Sequence, residues 1–69
     1  MSETYKMISL VGTSPQSYEE AIENAVAEAS RTVRGLAWFE VKELRGRISG
    51  GRVAQYQAKI EAGFRVEGG

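Results

Sequence analysis

From residue 53 onward, apolar and polar positions alternate. Tyr56, Ala58, Ile60, Ala62, Phe64 and Val66 take every second place, and Gln55, Gln57, Lys59, Glu61, Gly63 and Arg65 lie between them. A period of two is that of a strand whose side chains leave on opposite faces, so residues 53–67 are predicted to form a strand with one apolar face. "TYKMISLVG" (4–12) has the same period. Ile8 and Leu10 share one face, Met7 and Ser9 the other, and Gly12 with "TSPQS" supplies turn chemistry after them. Between these stretches the period changes. Tyr18, Ala21, Ile22, Ala25, Val26, Ala29 and Val33 recur at intervals of three and four, the stripe of an amphipathic helix.

The helix has two candidate starts. Ser17 stands three residues before Glu20, a capping-box spacing, while Ser14 precedes Pro15 one turn earlier. Glu19 and Glu20 fall early and Arg31 and Arg34 late, as the helix dipole favours, and Gly35 is the expected stop. A second strand is predicted over Ala37–Ile48, with an irregularity near Glu43–Gly46. "SGGR" (49–52) then turns the chain into the last strand as a hairpin. The order is β-α-β-β. The helix reverses the chain, so the first two strands run the same way and the third runs opposite to both. An all-antiparallel sheet therefore needs the third strand in the middle, order 1-3-2. One helix covers one face, which accounts for the one-sided alternation. The fold class is α+β, with residues 1–69 as one domain and the last two glycines loose.

With 69 residues the chain holds one small domain, able to bury only about 60% of its unfolded surface. Cysteine and histidine are both absent, which removes disulfides, zinc sites of the usual kind, and Cys–His or Ser–His catalysis. Self-association is the remaining common source of extra stability. Nine basic residues balance nine acidic ones, which counts against a general nucleic-acid binder. Residues 31–69 nevertheless carry eight basic and four acidic groups, enough for a local anion site. No apolar run approaches a membrane span and the N-terminus lacks the form of a signal peptide, so a soluble cytoplasmic protein is expected.

Trp38, the only tryptophan, falls on the polar side of its strand with Glu40 and Lys42, facing away from the helix. Burying such a side chain removes about 150–250 Å² from water, so something should cover it. One cover is a second subunit, since tryptophan is a common interface anchor. The other is a planar ligand stacked on the indole. Gln57 would read its polar edge, because a carboxamide both donates and accepts. Arg45 and Arg65 would hold an anionic tail, since a guanidinium fork suits phosphate. The blander roles are a solvent-facing Gln57 and rim salt bridges from the arginines to Glu40 or Glu61. Gly63, mid-strand, marks a bulge or a close approach by another group. Single-stranded nucleic acid, with bases stacked on Trp38, is a further alternative that the zero net charge disfavours.

"VGTS" (11–14), the Glu- and Ala-rich helix, "WFEVKELRG" (38–46) and "YQAKIEAGFRVE" (56–67) together resemble the dodecins, from about Tyr5 to Glu67. The resemblance implies a non-enzymatic flavin-binding protein that forms a hollow homo-dodecamer of β-α-β-β subunits. It implies that Trp38 stacks on the isoalloxazine ring and that Gln57 hydrogen-bonds the pyrimidine edge. Arg45 and Arg65 match arginines of the bacterial, FMN-binding branch. Sites in the family lie on two-fold axes, with paired flavins between two tryptophans, so interface and ligand site would coincide. The implied role is storage and quenching of FMN or riboflavin, with lumichrome as a further ring of the same kind. Some bacterial members also bind coenzyme A. Ala37, Ala58 and Ala62 depart from the acidic or larger residues common at those places in the family.

Overall fold

Ser17, not Ser14, opens the helix. The structure is a computed structural model describing residues 2–66, and its helix α1 spans Tyr18–Ser30. Ser17 is extended, and its hydroxyl accepts the Glu20 N–H at 3.0 Å. Only this half of the capping box forms. The Glu20 carboxylate instead accepts the hydroxyl of Ser14, which is buried at the end of strand β1 (Tyr5–Ser14). Ser14 Oγ in turn accepts the N–H groups of Gln16 and Ser17, tying the turn between strand and helix.

The helix stops before Gly35. Arg31 is its C-cap, and the N–H groups of Thr32 and Val33 both go to the Ala29 carbonyl. Two successive β-branched residues crowd the helical turn, and tightened terminal bonds satisfy the last carbonyls. Val33 therefore lies past the stripe it was assigned to. Gly35, at φ 78°, turns the chain into strand β2 (Leu36–Ser49), and its carbonyl accepts the Arg65 N–H at 3.1 Å. Gly50 and Gly51 both have positive φ, as a tight hairpin turn requires, and lead into strand β3 (Arg52–Arg65).

The sheet is antiparallel throughout, in the order β1-β3-β2 that connectivity predicts. β1 runs two residues beyond its expected end. β3 ends at Arg65, with Val66 donating its N–H to the Thr4 carbonyl at 2.9 Å. Glu67 and the two final glycines lie outside the described residues. α1 packs over β1 and β3. Ala21, Ala25 and Ala29 of the helix and Ala58, Ile60 and Ala62 of β3 make the buried core, with Leu10, Ile22 and Val26 around it. The small side chains let helix and sheet approach closely. At Gly12 a Cβ would run into the Ala21 carbonyl oxygen and stand 2.8 Å from the Ala25 methyl.

β2 is left out of this packing. Phe39, Val41 and Leu44 lie opposite Ala62, Ile60 and Ala58, on the helix side of the sheet, yet stay 42–53% exposed. With Ile48 and Val53 they extend an apolar ridge along the hairpin.

Candidate functional site

Two bulges in β2 aim the candidate side chains. Leu36 pairs with Phe64 and Trp38 with Gly63, so Ala37 is an extra residue. Without it Leu36 and Trp38, two apart, would share a face. With it, Leu36 stays opposite Phe64 on the helix side, and Trp38 lies opposite Gly63 on the open face. The second bulge lies between Val41 and Glu43, slightly before the stretch the sequence suggested. Lys42 is the extra residue. Glu40 and Glu43 consequently face the same way, and so does Arg45, which pairs with Gln57. Lys42 keeps an ion pair with Glu40 at 3.5 Å.

The indole of Trp38 lies across the bare backbone of Gly63, where a Cβ would come within 2.6 Å of the ring. Gly63 is thus a place of close approach. The indole stays 43% exposed. Tyr5 of β1 braces it edge-on, ring centroids 4.8 Å apart and planes at 66°. Tyr5 lies opposite Arg65 and Met7 opposite Gly63, so both flank the indole from the far side of β3.

Arg65 belongs to this cluster through Glu3. One Glu3 oxygen accepts the Tyr5 hydroxyl at 2.7 Å and the other accepts Arg65 Nη1 at 3.0 Å. The Tyr5 hydroxyl first, and Arg65 second, hold the Glu3 carboxyl below its usual range. The same carboxylate pushes the Tyr5 hydroxyl up.

Gln57 and Arg45 form a second cluster. Gln57 sits between Thr13 and Arg45 in the sheet and donates its Nε2 to Gln55 Oε1 at 2.8 Å. Arg45 is paired with Glu43 at 3.2 Å, and Arg47 lies opposite Gln55. Gln57 and Gly63 are six steps apart along β3, which is about 20 Å of strand. The fold therefore brings Trp38 to Arg65 and Gln57 to Arg45, and holds the two pairs apart on one open face. Both arginines are in salt bridges, with Glu43 and Glu3 rather than Glu40 or Glu61.

Tyr5 and Glu3 border this candidate cluster, and the sequence pattern singles out neither. Tyr5 shares the parity of Met7 and Ser9, but only register sets it beside Trp38. What the arrangement offers is an apolar plate with guanidinium at its rim, and an amide with a second guanidinium further along. Among the described residues no group of three or more His, Cys, Asp or Glu side chains is placed to hold a metal ion, and no helix is long and apolar enough to cross a membrane.

Comparison with known proteins agrees along nearly the whole chain. A dodecin of Thermus thermophilus is 51% identical over 67 residues, which is 97% of each chain. A crystal structure of a Thermus thermophilus protein superposes with a TM-score of 0.94 at 48% identity, covering 99% of this chain and 100% of that one. A dodecin of Streptomyces coelicolor gives 0.94 at 46% identity, over 97% and 96%. A Mycobacterium tuberculosis protein described as a calcium dodecin with a novel calcium-binding site gives 0.82 at 31% identity, over 93% and 91%. The sequence model of the Dodecin family matches residues 4–67, and the chain belongs to that family of small ligand-binding proteins.

Proposed function

We propose that the protein is a flavin store, not an enzyme, which stacks FMN or riboflavin on Trp38 where two copies meet about a two-fold axis. The observation that carries this is the division of the open face. Trp38 and Gln57 stand about 20 Å apart along one chain, too far for one three-ring flavin to touch both. A two-fold operation lays the Gln57 end of one copy over the Trp38 end of another and presents both to the same ring. One tryptophan per chain then supplies both walls of the site.

Each residue has a task that its chemistry suits. The half-exposed indole offers a flat apolar surface, and Gly63 lets it lie down on the sheet. Gln57 already spends one N–H on Gln55, leaving a donor and a carbonyl oxygen for the imide edge of the ring. Arg65 at the Trp38 end and Arg45 at the Gln57 end are the guanidinium groups an FMN phosphate would meet. A flavin in contact with indole loses its excitation without emission, which protects the cell from its photochemistry. The hollow homo-dodecamer of the family is the assembly in which such two-fold sites would form.

FMN titration into the wild-type protein and Trp38→Ala tests this, with flavin emission followed. Stacking on an aromatic side chain contributes about 1–3 kcal/mol per ring. Trp38→Ala should weaken binding roughly 5- to 150-fold and restore emission from whatever flavin remains bound. Undiminished affinity and undiminished quenching in Trp38→Ala would overturn the proposal.

A further inference from the structure

We infer that Glu3 is a built-in competitor for Arg65, and that it sets how strongly the site prefers a phosphorylated flavin over its neutral counterpart. The inference rests on the stacking of flavin at Trp38. It starts from the bridge at the rim of the indole: Glu3 joins the Tyr5 hydroxyl at 2.7 Å to the Arg65 guanidinium at 3.0 Å, while the Tyr5 ring braces Trp38. The Arg65 donor at the Trp38 end therefore already holds an anion belonging to the chain itself. The Glu3 carboxyl is held below its usual range by these two partners, so it is fully charged at neutral pH.

A phosphate arriving at that guanidinium meets a carboxylate at contact distance. Like charges there disfavour each other, and a planar guanidinium that serves Glu3 has fewer well-aligned donors left for a bidentate grip. Either Glu3 withdraws or the phosphate is held more weakly. Withdrawal is structurally easy, because Glu3 precedes β1 and its release breaks no ladder bond. It does free the Tyr5 hydroxyl, so capture of an anionic tail is coupled to the brace on the indole. A neutral ribityl tail makes no such demand. Glu3 thus acts against FMN and is indifferent to riboflavin, and the preference between them is set by a residue that need not touch the ring.

The test compares dissociation constants for FMN and riboflavin in the wild type, Glu3→Gln, Arg65→Ala and the double variant. Glutamine keeps an acceptor for the Tyr5 hydroxyl, so the brace on Trp38 stays while the charge goes; exposed charge pairs are modest in strength, so Glu3→Gln should tighten FMN roughly two- to five-fold and leave riboflavin unchanged. The gain should shrink in high salt. In the Arg65→Ala background Glu3→Gln should change neither ligand, since the competition needs the guanidinium. An equal shift for both ligands, or a shift for FMN that survives loss of Arg65, would overturn the role of Glu3. Trp38→Ala in the same series separates the two ideas. If it binds both flavins like the wild type, stacking fails. If it loses both while Glu3→Gln leaves the FMN-to-riboflavin ratio untouched, stacking stands and the competitor role alone falls.

Discussion

The indole of Trp38 rests on a strand position that carries no side chain. That makes Gly63→Ala a sharp probe, because a methyl there would enter the space of the ring at 2.6 Å. The ring is half-exposed and can lift away, so the fold should lose less than about 1.5 kcal/mol in thermal unfolding. Flavin affinity should fall, by no more than in Trp38→Ala, because a lifted indole no longer presents a flat face at the right height. Trp38 is also the only tryptophan, so its emission reports this place alone. The brace beside it has a defined pH range. Glu3 is depressed by Tyr5 and then Arg65, so its contribution is present above an ordinary carboxylate value of about 4.3 and is lost as pH falls through the lower folded value. Tyr5 is raised by Glu3, so its contribution is present below about pH 10 and is lost as pH rises through the higher folded value. Trp38 emission should hold steady between about pH 5 and 9 and change at the acid end. That acid change should be missing in Glu3→Gln. An acid change of the same size in the variant would remove Glu3 from the brace.

At the scale of elements, β1 and α1 depend on one close contact. Gly12→Ala would drive a methyl into the Ala21 carbonyl, a backbone atom that moves only if the helix moves. Overpacking of this kind costs about 1–3 kcal/mol, so the variant should melt lower than Gly63→Ala, and a circular-dichroism melt of the two side by side checks the order. The elements themselves were legible because each follows from a local rule. The change of period from two to three-and-four gave α1, and the need for an antiparallel partner gave order 1-3-2. The candidate site was legible only in part. Trp38 could be assigned to the open face by simple alternation, but that assignment holds because Ala37 bulges and resets the parity after Leu36. Neither Ala37 nor Lys42 has a side chain that announces a bulge. The distance between Trp38 and Gln57 was out of reach for the same reason. It follows from register across β3, which the bulges and the glycine turn fix together. The helix end was misplaced because periodicity continued to Val33 after the hydrogen bonds had already closed on Ala29.

The whole chain is too long and too open to be complete by itself. Its Cα radius of gyration is 14.3 Å, whereas a compact domain of this length has one of about 11 Å. Its accessible surface is 5067 Å², against about 4,300 Å² for a folded monomer of its mass. The excess sits on the β2–β3 hairpin, where Phe39, Val41, Leu44, Ile48 and Val53 carry apolar surface past the cover of α1. Further copies of the chain would cover such a ridge at no chemical novelty, and the proposed two-fold site would need at least one copy in any case. The two needs can be tested together. Leu44 is 53% exposed in the single chain and lies away from Trp38 and from the open face, opposite Ala58. Leu44→Asp should therefore leave the secondary structure of the chain in place but put a charge into any interface built on the ridge. Sedimentation should show a smaller particle, and FMN titration of the same sample should show binding lost along with the assembly, although Trp38, Gln57, Arg45 and Arg65 are untouched. Full assembly in Leu44→Asp would show that the ridge is not the interface. A dissociated chain that still bound FMN with wild-type affinity would show that one copy holds a complete site, and the 20 Å between indole and amide would then lose its meaning.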